Sequence, residues 1–107
     1  MDRPAVLLLE DDAAEAAVAE SALRYAGAEL AASPERAVVA VLGRKALRGD
    51  PGKLGIPAVA ILRDPTEQEL SRARDQGVLV YERPETWQGY AALVARVLSE
   101  WLPTRKD

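Results

Sequence analysis

Apolar residues fall into two patterns along this chain: short unbroken runs, and longer stretches in which they recur every three or four positions. The unbroken runs predict buried parallel strands, which are covered on both faces and therefore do not alternate. Ala5 to Glu10 is the first, built on Val6-Leu7-Leu8-Leu9. Pro57 to Leu62 reads as a central strand and Val78 to Tyr81 as a further one. The periodic stretches predict helices. Ala13 to Ala26 is the first, with Asp12 as N-cap, Gly27 just past its end, and Val18 and Leu23 as its larger anchors. Asp64-Pro65-Thr66-Glu67 supplies an N-cap, a proline at N1 and a glutamate at N3 for a helix running to about Gln76 and stopping at Gly77. Glu85 to Leu102 is the last helix, with Trp87, Tyr90, Val94, Val97 and Trp101 three or four residues apart. Strands alternating with helices in this way predict a parallel α/β sheet.

The middle of the chain is open to two readings. Ala28 to Ala32 is a weak strand, and only Ser33 to Ala37 separates it from Val38-Val39-Ala40-Val41-Leu42. A parallel crossover usually takes roughly ten or more residues and a helix. Either Val38 to Leu42 is a strand whose preceding helix is lost, or Ser33-Pro34-Glu35 opens a helix running through it and the sheet has four strands. The β-branched run and Gly43 favour the strand.

Composition narrows the chemistry. The 107 residues predict one domain, with residues 103–107 as a tail or linker, and contain neither cysteine nor histidine. That excludes disulfides, thiolate nucleophiles and imidazole bases or ligands. The net charge of −3 argues against charge-driven nucleic-acid binding. No apolar run is long enough for a signal peptide or a membrane span, so a cytoplasmic address is expected. The basic stretch Arg44-Lys45, Arg48 and Lys53 includes Asp50-Pro51-Gly52 and lacks a phosphate-loop glycine pattern, so it reads as a solvated loop.

The most informative local feature is Glu10-Asp11-Asp12, three carboxylates at the carboxyl end of a buried parallel strand, where doubly wound sheets place ligand sites. The neighbouring run ends in Leu42-Gly43 with no acid. VLLLEDD at Val6 to Asp12, GIPAVAIL at Gly55 to Leu62 and GVLVYERP at Gly77 to Pro84 occur in order, and together they resemble the CheY-like receiver domain of two-component response regulators over nearly the whole chain. The resemblance implies a flavodoxin-like doubly wound sheet of four to five strands in the order 2-1-3-4-5, here shortened in the middle, the second helix lost or reduced. It also implies an acid pocket at Glu10 and Asp11, a phosphoacceptor position at Leu42 or, with a one-residue shift, Gly43, and a hydroxyl position at Leu62. The switch lysine becomes Arg83, followed by Pro84. The aromatic switch position falls on Val80, with Tyr81 one residue later and on the opposite face.

These departures share a direction. Leu or Gly supplies no nucleophile, and two or three carboxylates without an acceptor aspartate leave at most a weak Mg²⁺ site at Glu10 and Asp11, with no other cofactor expected. Arg83 is expected to neutralise the acid pair. The reading is a degenerate pseudo-receiver, not an enzyme, that works without phosphorylation by contacting another signalling protein or a second copy of itself. Its contact surface is expected on the last helix and strand, at Trp87, Tyr90, Val94 and Tyr81, with Arg72, Arg74 and Glu85 as rim charges and neither nucleic acid nor membrane as a direct partner. Two alternatives stand beside it: a phosphoryl-accepting receiver using Asp11 or Asp12, and a sensor holding a cation or small anionic ligand at the strand ends.

Overall fold

A computed structural model describes residues 3–101, with the side chain of Trp101 excluded. Five strands, β1 (Ala5–Leu9), β2 (Glu29–Leu30), β3 (Val39–Leu42), β4 (Ala58–Leu62) and β5 (Leu79–Glu82), form one parallel sheet in the order β2-β1-β3-β4-β5. Among the described residues there are also four α-helices, α1 (Ala13–Tyr25), α2 (Arg44–Arg48), α3 (Glu67–Gln76) and α4 (Trp87–Trp101), and two 3-10 turns, at Pro34–Arg36 and Pro51–Leu54. The five-stranded reading holds. None of the described helices is long and apolar enough to cross a membrane.

Successive strand residues point to opposite faces, and each face builds its own core. Val6, Val39, Val41, Val59 and Ile61 pack under α1 and α4 with Leu23, Val94 and Val97. Leu7, Ala40, Leu42, Ala60 and Leu62 pack under α2 and α3 with Leu47 and Ala73. The unbroken apolar runs are therefore two interleaved half-runs, each committed to a different layer.

The short crossover has a simple geometric reason. β2 pairs only with Ala5 and Val6, and β3 begins opposite Val6, so the chain leaves β2 at the level where it enters β3. It has to cross about 10 Å, two strand spacings, rather than travel back along the sheet. Residues 31–38 make that crossing with one 3-10 turn at Pro34–Arg36, tied to β1 by Ala31 N–H to Val6 O and Val38 N–H to Ala5 O, both 2.8 Å. No helix is needed there.

Two local expectations are corrected. Arg44 to Arg48 is a helix, not a solvated loop. Its carboxyl end is capped by Arg72, whose guanidinium donates to the carbonyls of Leu47 (3.0 Å), Arg48 (2.9 Å) and Gly49, so Arg72 is a structural cap rather than a rim charge. The N-cap of α3 is Thr66, not Asp64. Thr66 Oγ1 accepts from Glu69 N–H at 3.1 Å while Glu69 Oε1 accepts from Thr66 N–H at 2.9 Å, a reciprocal capping box. Asp64 instead sits in a turn at φ 50°, with its N–H bound to Glu82 Oε2 at 3.0 Å.

The surface expected on the last helix is also partly corrected. Tyr90 and Val94 are core residues, buried between α4 and the sheet, because the spacing that placed them on one stripe is the spacing of the inner stripe. Trp87 is 38% exposed and stands edge-on to Tyr25, ring centroids 5.2 Å apart. Tyr81 lies on the α4 face, opposite to Val80, and donates to Glu100 Oε1 at 3.0 Å. Its ring also carries the Arg96 guanidinium at 5.6 Å.

Candidate functional site

The carboxyl ends of β1, β3 and β4 open into a cleft of about 570 Å³. Glu10, Asp11, Asp12 and Glu15 line it together with Arg44, Lys45, Arg48, Arg63 and Arg83 and the apolar Ile61 and Leu62. β1 delivers the acids and α2 most of the bases, because α2 starts directly after Gly43 at the end of β3.

Glu10 takes an unexpected place. Its carboxylate lies over Gly43: a Cβ on that glycine would be 2.7 Å from Oε2 and closer still to Cδ and Oε1. Glu10 Oε2 accepts the Asp12 N–H at 3.1 Å, which folds the side chain back across the strand ends. Burial, and after it the charges of Asp11, Glu15 and Asp12, push the Glu10 carboxyl above the usual carboxylate range, against the pull of the Asp12 amide. Leu42, in contrast, is 1% exposed and points into the core under α2 and α3. Of the two candidate acceptor positions, only Gly43 adjoins the cleft acids.

The bases are distributed differently from the sequence expectation. Arg83 does not neutralise Glu10 and Asp11. Its Nε donates to Glu15 Oε1 at 2.6 Å, its Nη1 to Pro84 O at 2.6 Å, and its guanidinium lies 5.3 Å from the centre of the Tyr90 ring. The reason is reach: Glu15, on the first turn of α1, faces the β5–α4 junction, and the guanidinium is held there between a carboxylate and an aromatic face. Burial, with the Glu15 charge second, pushes the Tyr90 hydroxyl up to about 12. Asp11 faces Lys45 at 3.8 Å, with both side chains largely in solvent, a pair of small energetic weight. Asp12 has a local task, accepting the Glu15 N–H at 3.0 Å as the N-cap of α1.

Sequence reasoning missed Glu69. This glutamate is buried and joins α3 to α2 through a fork of two hydrogen bonds from Arg44, with Nη2 to Oε1 at 3.1 Å, while Arg48 approaches at 3.7 Å. Arg44 Nη2 also donates to Arg63 O at 2.8 Å, so the residue after Gly43 holds the β4–α3 connection. The Thr66-x-x-Glu69 spacing was the available signal, but a capping box does not reveal the ion pair. The Arg44 fork holds the Glu69 carboxyl down at about 2.

A carboxyl with a depressed pKa stabilises the fold above its unfolded value of 4.5, and that contribution is lost as pH falls from there through about 2. Solvent access to Arg44 limits it to about 1–2 kcal/mol. Glu69→Gln should therefore lower stability at neutral pH by roughly that amount and flatten the acid limb of a urea-unfolding series between these values. An unchanged acid limb would show that the pair is energetically silent.

The donor set does not fit Mg²⁺ in the arrangement the resemblance implies. An octahedral oxygen shell would need both acids turned to a common point. Glu10 is folded over Gly43 and Asp11 faces Lys45. Among the described residues no group of three or more Asp, Glu, His or Cys side chains could hold a metal ion.

No family model and no curated protein matches the chain. Solved structures do. The chain is similar to a response regulator in red light signalling of R. palustris, with TM-score 0.71 at 14% identity over 96% of each chain. It is equally similar to the phosphorylated cyanobacterial phytochrome response regulator RcpA, with TM-score 0.71 at 17% identity over 98% of each. An orphan response regulator of H. pylori aligns with TM-score 0.63 at 22% identity, over 94% of this chain and 99% of the other. With five parallel strands in the order 2-1-3-4-5 and helices on both faces, the chain has the CheY-like, flavodoxin-type fold of receiver domains.

Proposed function

We propose that this domain is a receiver-like signalling module that works without phosphorylation, has no enzymatic activity, and acts by contact with another protein or a second copy of itself. One observation carries the reading: the Glu10 carboxylate fills the space over Gly43 in which an acceptor side chain would stand. Gly43 offers no nucleophile, and Leu62, at the hydroxyl position, offers no hydrogen bond to a phosphoryl oxygen. The surrounding charges support it. Arg83 is engaged with Glu15 and Arg44 with Glu69, so two of the five cleft cations already hold close partners within the chain.

The fold supports a signalling role by analogy with the response regulators it resembles, in an intracellular setting. Incubation with Mg²⁺ and acetyl phosphate should leave the intact mass unchanged, and beryllofluoride with Mg²⁺ should leave the amide spectrum unperturbed. A stable phosphoryl adduct on Asp11 or Asp12 would overturn the proposal in favour of a true acceptor.

A further inference from the structure

β2 stops before β1 does. The ladder between them includes Glu29 N–H to Pro4 O at 2.9 Å and ends with Ala31 N–H to Val6 O at 2.8 Å, pairing only Ala5 and Val6 of β1. Backbone groups alternate sides along a strand, and those of Leu7 and Leu9 face β3, where Leu9 O accepts the Gly43 N–H. Leu8 therefore turns its N–H and C=O to the side that β2 has left, and the β2 pairing does not reach them. A hollow of about 370 Å³ lies here, lined by Leu8, Leu9, Glu10, Asp11, Lys45 and Ala46. Leu8 and Leu9 belong to opposite faces of the sheet, so a hollow that touches both runs along the edge of β1.

We propose that this open half of β1 is a docking edge for an extended segment of a partner protein, with apolar residues at alternate positions and a lysine or arginine at the end beside Asp11. This rests on the reading of the chain as a protein-contact module, and it states the shape and charge that the partner brings.

Backbone, side chains and charge select this occupant. An N–H and a C=O presented together on a strand edge are matched by another strand, whereas a helix has spent its own groups internally. A strand laid there alternates faces, so every second residue falls on the side of Leu9 and Ala46, which are half-buried and apolar. Glu10 has no ion pair among the described residues, and Asp11 has only Lys45 at 3.8 Å, so two acids against one base leave this end of the edge negative. A second copy does not fit. Antiparallel pairing of two β1 strands about Leu8 would set Glu10 of one copy beside Val6 of the other, where β2 already lies.

Amide hydrogen exchange of the full chain, read residue by residue by NMR, tests this. In the free protein the Leu8 amide should exchange about 100-fold faster than those of Leu7 and Leu9. A capped hexapeptide of alternating valine and threonine, ending in lysine and added to about 10 mM, should protect it. Val80, which turns its amide outward on the opposite edge of the sheet, should stay unchanged. The same peptide with every backbone amide methylated should give no protection. Asp11→Lys should weaken the lysine-ended peptide by about tenfold and favour a glutamate-ended one. A Leu8 amide as slow as Leu7 in the free protein, no protection by the peptide, equal protection by its methylated form, or protection of Val80 instead would each overturn the proposal. So would Leu8 protection that rises with protein concentration alone, which would place a second copy on the edge. None of these bears on the acetyl phosphate result, so the docking edge and phosphorylation independence fail separately.

Discussion

Leu42→Asp should unfold the domain rather than create an acceptor. In the sequence Leu42 is the residue that aligns with a phosphoacceptor when the strand end is counted without a shift. In the fold its side chain is buried among Leu47, Ala60, Leu62 and Ala73, and none of these offers a hydrogen bond or a counter-charge. Removing the leucine forfeits about 2–4 kcal/mol of burial and packing. An unpaired carboxylate in that cluster adds a desolvation cost of several kcal/mol more. The total approaches the whole stability of a small domain, about 5–15 kcal/mol. The expected result is loss of the cooperative thermal transition at neutral pH. A melting temperature within a few degrees of the wild type would mean that Leu42, not Gly43, faces the cleft.

Gly43→Asp should fail for a different reason, and that failure should be reversible. Gly43 has φ −86° and ψ −175°, backbone that any residue adopts, so no conformational need for glycine exists at this position. What a side chain there would meet is the far end of the flexible Glu10 side chain. Displacing that side-chain end and bringing two carboxylates together should cost Gly43→Asp about 1–2 kcal/mol. Glu10→Ala vacates the volume, and in that background most of the cost should disappear. Chemical denaturation of the four proteins of the cycle should give a coupling of about 1–2 kcal/mol between positions 10 and 43. Additive effects would show that the Glu10 carboxylate moves aside freely and does not occupy the acceptor volume.

These two substitutions separate what one strand end can look like in sequence from what it is in space. Both residues lie next to the acids of β1 on paper. The pairing of Leu9 with Leu42, and the Gly43 N–H bond to Leu9 O at 2.8 Å, put the first in the core and the second under Glu10. A shift of one residue exchanges the faces of a strand completely.

The outcome for the bases follows the same logic. A basic run that looked like a loop supplies Arg44, which ties α2 to α3 and to the β4–α3 connection. Arg83, read as the neutraliser of the acid pair, serves α1 and α4 through Glu15 and Tyr90. In both cases residue type was legible and the partner was not. A guanidinium finds whichever carboxylate the fold brings within reach, and sequence separation, 25 residues for Arg44–Glu69 and 68 for Arg83–Glu15, carries no information about that.

The sequence by itself determined most of the elements and their order, but it left β3 open to a helical reading and took α2 for a loop. Continuous β-branched and aliphatic runs favour burial on both faces, as in β3 and β4, and the helical periods between them leave a parallel sheet as the consistent solution. It also determined which chemistry composition excludes, because the absence of histidine and cysteine is read directly. The tertiary structure alone decided the rest: that β2 is short enough for a helix-free crossover, that Tyr90 and Val94 face inward while Tyr25 and Trp87 form the exposed pair, and that Glu10 stands over Gly43. Periodicity and propensity are properties of neighbours along the chain. Burial, ion pairing and the filling of a vacant volume depend on groups brought together by strand register and helix docking, which no local pattern encodes.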